Sequence, residues 1–269
     1  MHPGIVITTR LTGMSALPQA ETPTEIDATE WELRVELAAA YRLVEHFGWS
    51  ELIYGHLTVR LPGEPATFLI NPYGLGYDEV TASNLVRIDV DGNIVGDSNY
   101  SVNRAGFVIH SAVHMSRGLN KCVMHTHTRA GMAIAALEDG LRQVHMYSTG
   151  YLDRIAYHDY EGPSLDTDER ERLLANLGDN QAMILRNHGL MSVGRTIPEA
   201  FIRLYRLERA CQVQLDASAA GQVREIPHDV ALSSRQGTDE FLELADDVGR
   251  LEFNALVRKL DKLDPSFRE

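Results

Sequence analysis

Cysteine is scarce in this chain, with two residues, Cys122 and Cys211, among 269. Two thiols in apolar surroundings make no disulfide framework and read as buried, unbridged side chains. No apolar run approaches the roughly 18 residues that span a bilayer. Basic residues are short in number, 25 Lys and Arg against 38 Asp and Glu, for a net charge of −13. A chain of that sign repels phosphate backbones and anionic lipid, which excludes nucleic acid and membrane surfaces as partners. The opening MHPGIVITTRLTG has neither the basic region nor the long apolar core of a signal peptide. The resulting expectation is a soluble, cytoplasmic protein. What the chain does have is ordinary globular material, 44% hydrophobic, with 21 Gly and 10 Pro.

The pattern along the chain alternates strands and helices. Residues 1–28 lack apolar periodicity and contain Pro3, Pro18 and Pro23, so they read as a loose arm. Thr29 followed by Glu32 fits a capping box. Leu33, Leu37, Tyr41 and Val44 then recur at helical spacing up to Gly48. Short strands are expected at 56–61, 67–70 and 85–90. A hairpin signal, Asp91-Gly92-Asn93, separates the last of these from a short apolar pair at 94–95. Further helices are expected at 107–117, 129–137, 166–177, 197–218 and 238–263, and strands at 121–125, 181–185 and 190–193. Strands interleaved with helices without an internal linker predict an α/β protein, a single three-layer α/β/α domain around a central mixed β-sheet. Its expected limits are 29–222. The helical extension, 223–269, would pack on the same domain or on a neighbouring subunit.

Eleven histidines are unevenly distributed. Met124-His125-Thr126-His127-Thr128 places two imidazoles at i and i+2, on one face of a strand. A third, His188, sits between Asn187 and Gly189 in a turn between two short strands. Gly189 is expected there for an unusual backbone conformation. Three neutral imidazoles with an open fourth position suit a catalytic divalent metal. An HxH pair alone is equally readable as two polar residues at a strand end. His110 and His114, at i and i+4, share a helix face. His110 is read as a partner that orients the ligands, His114 as a packed core histidine.

Five segments resemble the class II aldolase/adducin family in order and spacing. They are Gly55–Arg60 (GHLTVR), Ile70–Gly74 (INPYG), Ala105–His110 (AGFVIH), Val123–Thr128 (VMHTHT) and Leu185–Leu190 (LRNHGL). The resemblance implies that His125, His127 and His188 hold one divalent metal per chain, zinc first, with iron or manganese as alternatives. It also implies a homotetramer or other cyclic homo-oligomer with sites at subunit interfaces. The pattern departs from the sugar-phosphate aldolases in three places. Gly106 stands where they carry an acid/base Glu, Arg104 and Ala105 where they carry seryl residues, and Tyr73 within their phosphate-holding turn. Gly106-Phe107 resembles the adducin-like branch.

The implied substrate side comprises His56, Tyr73, Gly74 and Arg104. Replacements for the missing Glu are sought among His110, His145, Tyr147, Tyr157 and Asp159, because 144–147 and 157–160 lie where the family places substrate-side residues. The tyrosine-rich run is equally readable as a packed loop. A metal held by three imidazoles polarises a 2-oxo or 2-hydroxy acid and stabilises an enolate. The expected function is therefore a metal-dependent carbon–carbon lyase, by retro-aldol cleavage or decarboxylation, on a small non-phosphorylated carbonyl compound. Two alternatives accompany it: a non-heme-iron oxygenase that decarboxylates a 2-oxo acid oxidatively, and a non-catalytic adducin-like binding module.

Overall fold

The computed structural model of the chain describes residues 26–116, 118, 120–162, 168–243 and 247–269. The arm expected at 1–28 and the start of the helix expected at 166–177 lie mostly or partly outside those residues. Helix α1 (Ala28–His46) opens the described chain. Its cap is Asp27, whose carboxylate accepts from the Glu30 N–H at 2.8 Å, so the expected Thr29 cap is corrected by two positions. Asp is as good a cap as Thr and comes first in the chain. Gly48, at φ +67°, lets the chain leave the helix where expected.

Seven strands follow: β1 (His56–Arg60), β2 (Thr67–Ile70), β3 (Val86–Asp89), β4 (Cys122–Thr126), β5 (Ile155–His158), β6 (Ala182–Leu185) and β7 (Gly189–Gly194). They form one sheet in the order β3-β2-β1-β4-β7-β6-β5. Only the β5–β6 pair is parallel, so the sheet is mixed and the fold is α/β. The helices are α2 (Arg104–Met115), α3 (Arg129–Ala135), α4 (Met146–Thr149), α5 (Glu169–Leu177), α6 (Ile197–Ala220), α7 (His228–Glu243) and α8 (Arg250–Leu263).

Strand alternation divides the interior. Leu57, Val59, Met124, Ile184 and Leu190 face one layer, where α1, α3, α6 and α8 supply Leu37, Tyr41, Ile134, Phe201, Leu204 and Phe253. Val123, Met183, Met191 and Val193 face the other, against Ile109 and Val113 of α2 and Leu173 and Leu177 of α5. Both cysteines are buried and free, as expected.

Two expectations are corrected. The helix expected at 238–263 is two helices, α7 and α8, parted at Gly249, which is left-handed at φ +80° and caps α8. A Cβ there would stand 2.8 Å from the Pro198 carbonyl, so the break is built in by packing. Strand β5, at 155–158, is not among the expected strands; it takes in Tyr157 and His158 of the run 157–160 that is equally readable as a packed loop. Among the described residues, no helix is long and apolar enough to cross a membrane.

Candidate metal centre

Where β4 ends, its neighbours bring three imidazoles together. His56 of β1 pairs with His125 of β4, and Met191 of β7 pairs with His125 from the other side. His125 is 2% exposed and lies on the α2 side of the sheet, two residues along from Val123. His127 follows just past the strand end. His188 arrives from the β6–β7 turn, in which Asn187 adopts φ +55° and its N–H donates to the Ala135 carbonyl at 3.0 Å. The unusual backbone falls on Asn187, so the expectation for Gly189 is corrected. Gly189 is needed for space: a Cβ there would stand 2.4 Å from the Thr126 carbonyl oxygen and 3.2 Å from the His127 ring.

The three ring centroids form a near-equilateral triangle of 4.5, 4.8 and 4.9 Å. His127 Nε2 lies 2.7 Å from His125 Nε2 and 3.0 Å from His188 Nε2. The His125 Nδ1–H donates to the Leu190 carbonyl at 2.9 Å, which leaves the His125 Nε2 lone pair aimed at the other two rings. Burial holds His125 well below the usual imidazole range and lowers His188 to about 4; it lowers His127 too, opposed by the Glu51 carboxylate. Neutral imidazoles crowding their nitrogens to one point are what a divalent cation requires. Tetrahedral zinc holds ring nitrogens at about 2.0–2.1 Å and so roughly 3.3 Å apart, close to the spacing seen. The residues therefore fit a metal. His127 and His188 are half-buried, which leaves one side of the cluster open.

The surrounding shell is polar and buried. His56 is 5% exposed with neither ring nitrogen partnered among the described residues, and His110 meets it edge-on with centroids 5.8 Å apart. Glu208 of α6 is 1% exposed, its carboxyl raised by burial; it accepts from the Thr128 hydroxyl at 2.5 Å. That hydroxyl also accepts from the Gly131 N–H, so Glu208 anchors the segment that carries His127. Sequence reading missed Glu208, which lies 80 residues from Thr128, and Glu51, which sits in no motif.

The other expected residues are placed variously. Tyr73 is 40% exposed, its N–H bonded to the Ser101 carbonyl ahead of α2, and Gly74 follows at φ +101°. Arg104 and Gly106 belong to the first turn of α2, but their side-chain positions lie outside the described residues. Asp159 lines a cavity of about 440 Å³ with Tyr160, Arg186 and Asn187, next to His188, whose ring Tyr160 meets at 6.2 Å. The Tyr157 hydroxyl accepts from the Leu141 N–H, and Arg186 lies 4.3 Å over its ring, so its contacts are structural. His145 caps α4 and packs on Tyr147; Tyr147 lines a cleft with Asn180 and Gln181 at the start of β6, away from the imidazoles within one chain.

The buried histidines set an acid limit on stability. Burial lowers His56 to about 3, aided by His127 and His188; burial, then Arg60 and Lys121, lowers His114 to about 3. Unfolded, each titrates near 6.5. The unfolded chain thus binds more protons, so stability present above pH 6.5 is lost as the pH falls toward 3. Each ring withdraws about 1.4 kcal/mol per pH unit in that window, together about 4 kcal/mol by pH 5. Thermal melts of metal-free protein at pH 7, 6 and 5 are expected to show steep destabilisation below pH 6.5. A melting temperature unchanged down to pH 5 would contradict these buried neutral rings.

Comparison with known proteins follows the same lines. The model of the family described as Class II Aldolase and Adducin N-terminal domain matches residues 35–215. An aldolase II superfamily protein from Pseudomonas syringae is 44% identical, over 91% of this chain and 98% of that one, with a TM-score of 0.84. L-fuculose 1-phosphate aldolase from Glaciozyma antarctica PI12 is 30% identical over 93% of this chain and 98% of its own, with a TM-score of 0.79. Alpha-adducin of Rattus norvegicus is 43% identical over 250 residues, 88% of this chain but 34% of the adducin.

Proposed function

We propose that this chain, which belongs to the class II aldolase and adducin family, is a metal-dependent aldolase-type lyase acting on a small carbonyl compound without phosphate. The observation that carries the reading is the convergence of three neutral imidazole nitrogens on a half-open point. His125, His127 and His188 would hold the metal, with zinc the first choice. A bound divalent metal supplies Lewis-acid polarisation of a carbonyl. The chain's own residues do the rest. The Leu190 carbonyl fixes the His125 ring, and Glu208 through Thr128 fixes the segment of His127. His56 and His110 line the centre as neutral polar groups, and Tyr160 meets the His188 ring. His145 and Tyr147 would act only across a subunit interface, which fits a cyclic assembly.

The departure from the activity of the Glaciozyma protein rests on residue types. A buried phosphate needs several donors aimed at it. The turn Pro72-Tyr73-Gly74 and the run Arg104-Ala105-Gly106 carry no hydroxyl cradle of small residues. The chain's −13 charge adds no steering of anions. The test is a panel assay of the protein reconstituted with zinc, manganese or iron(II), aerobically and anaerobically. Non-phosphorylated 4-hydroxy-2-oxo acids and 2-hydroxy acids are compared with sugar phosphates by release of a carbonyl fragment. Cleavage is expected with the first group, independent of oxygen. Sugar-phosphate turnover with kcat above about 1 per second would overturn the substrate class.

The identity to alpha-adducin favours a second reading, a binding module in which the metal is structural. Retention of metal with no turnover on any compound class would support it over the lyase.

A further inference from the structure

Two residues farther along β1 from His56, Thr58 is fully buried on the same face. Its hydroxyl oxygen lies 2.8 Å from His110 Nδ1 and 2.6 Å from His114 Nε2. Both imidazoles are fully buried on α2 and neutral. A hydroxyl has one proton to give. It donates to one ring and must accept from the other, so the two tautomers are locked together. Either both rings carry their proton on Nε2, or both carry it on Nδ1.

The surroundings decide between them. His114 Nδ1 and His110 Nε2 have no partner among the described residues. With protons on Nδ1, the unpartnered N–H falls on His114. That ring is stacked at 4.6 Å on Phe68, which packs with Ile70, Val86, Ile88 and Val108. A buried N–H facing apolar neighbours is among the rarest arrangements in folded proteins, rarer than a bare acceptor. With protons on Nε2, the unpartnered N–H falls on His110. Its ring stands edge-on to His56, a buried polar neighbour with centroids 5.8 Å apart and ring nitrogens likewise unpartnered, rather than against apolar side chains.

We propose that Thr58 is a positioning residue that fixes the His110 tautomer: it accepts from His114 Nε2–H, donates to His110 Nδ1, and so keeps the His110 proton on Nε2, on the ring beside His56 and the metal centre. The sequence His114, Thr58, His110 then forms a one-directional hydrogen-bond chain that ends in a fixed donor. That donor is one polar group the chain offers in the region where Gly106 replaces the family's Glu. Its use in catalysis rests on the lyase reading above; the tautomer assignment does not.

The test is long-range proton–nitrogen NMR of zinc-loaded protein with 15N-labelled histidine, the resonances assigned with His110→Gln and His114→Gln. Both rings are expected as Nε2–H tautomers with bare Nδ1. In Thr58→Val, which keeps the shape without the hydroxyl, the His110 signature is expected to be lost; Thr58→Ser is expected to restore it. Both rings found as Nδ1–H in the parent, or an unchanged His110 in Thr58→Val, would overturn the proposal. If Thr58→Val does not fold, the parent and Thr58→Ser spectra still decide, because the parent alone distinguishes the two arrangements. In a turnover assay, Thr58→Val is expected to lower kcat about tenfold with KM little changed. Absence of turnover in the parent would count against the lyase reading and leave the NMR result standing.

Discussion

Gly189→Ala is expected to weaken metal binding at the three-imidazole site while leaving the chain folded. The added Cβ would stand 2.4 Å from the Thr126 carbonyl oxygen, which belongs to β4 backbone and cannot swing aside. Relief requires β7 or the end of β4 to shift. The same Cβ would lie 3.2 Å from the His127 ring and 3.4 Å from the His125 ring, so any shift moves ligands. Metal sites tolerate ligand displacements of about 0.2 Å. Zinc affinity is therefore expected to fall by about 10- to 100-fold, with about 1–3 kcal/mol of stability lost to overpacking. Zinc titration calorimetry and melts measure both. Gly237→Ala is the control: it meets nothing within 4 Å on α7, so zinc affinity should not change, and stability should rise by about 0.5–1 kcal/mol as for any unhindered helix-interior Gly→Ala change. Equal zinc affinity in Gly189→Ala and the parent would contradict the packing described around the three rings.

Gly106→Glu is expected not to produce an efficient sugar-phosphate aldolase. The position lies one turn before His110 in α2, where the resembling aldolases carry their acid/base. Restoring a carboxylate leaves Tyr73, Arg104 and Ala105 where the family resemblance implies phosphate-holding residues. Binding energy from such remote groups supports kcat as well as affinity. Parent and variant are compared on fuculose and ribulose phosphates and on the best substrate of the panel. Native turnover is expected to fall, with metal retained. A gain of several orders of magnitude on sugar phosphates would mean that the pocket is a conventional aldolase site lacking only its acid/base, and would remove the case for a non-phosphorylated substrate.

What the sequence revealed divides by range. Helix α1 was legible because Leu37, Tyr41 and Val44 repeat at helical spacing and Gly48 stops it. The triad was legible because His125 and His127 stand at i and i+2 across the end of β4, and the His188 turn is marked by its neighbours. Local pattern misled where packing decides. Gly249, just before α8, is left-handed and leaves no room for a Cβ beside the Pro198 carbonyl, which no periodicity records. Strand β5 is four residues long, and its parallel partner β6 lies some 27 residues on, so no strand was expected at Ile155–His158. Gly189 was noticed for conformational freedom and is needed for want of space. Glu208 on Thr128, and Thr58 between His110 and His114, are side-chain meetings across 80 and 52 or more residues. Such contacts follow only from the assembled sheet.

The most direct test of the account is the metal content of the purified protein and of His127→Ala, by elemental analysis after passage over a chelating resin and reloading with one equivalent of zinc. His127 is the ring in contact with both others and is half exposed, so its removal spares the core. About one zinc per parent chain is expected, with near-complete loss in the variant and both proteins folded. Equal zinc in the two would contradict a metal centre built on these three imidazoles.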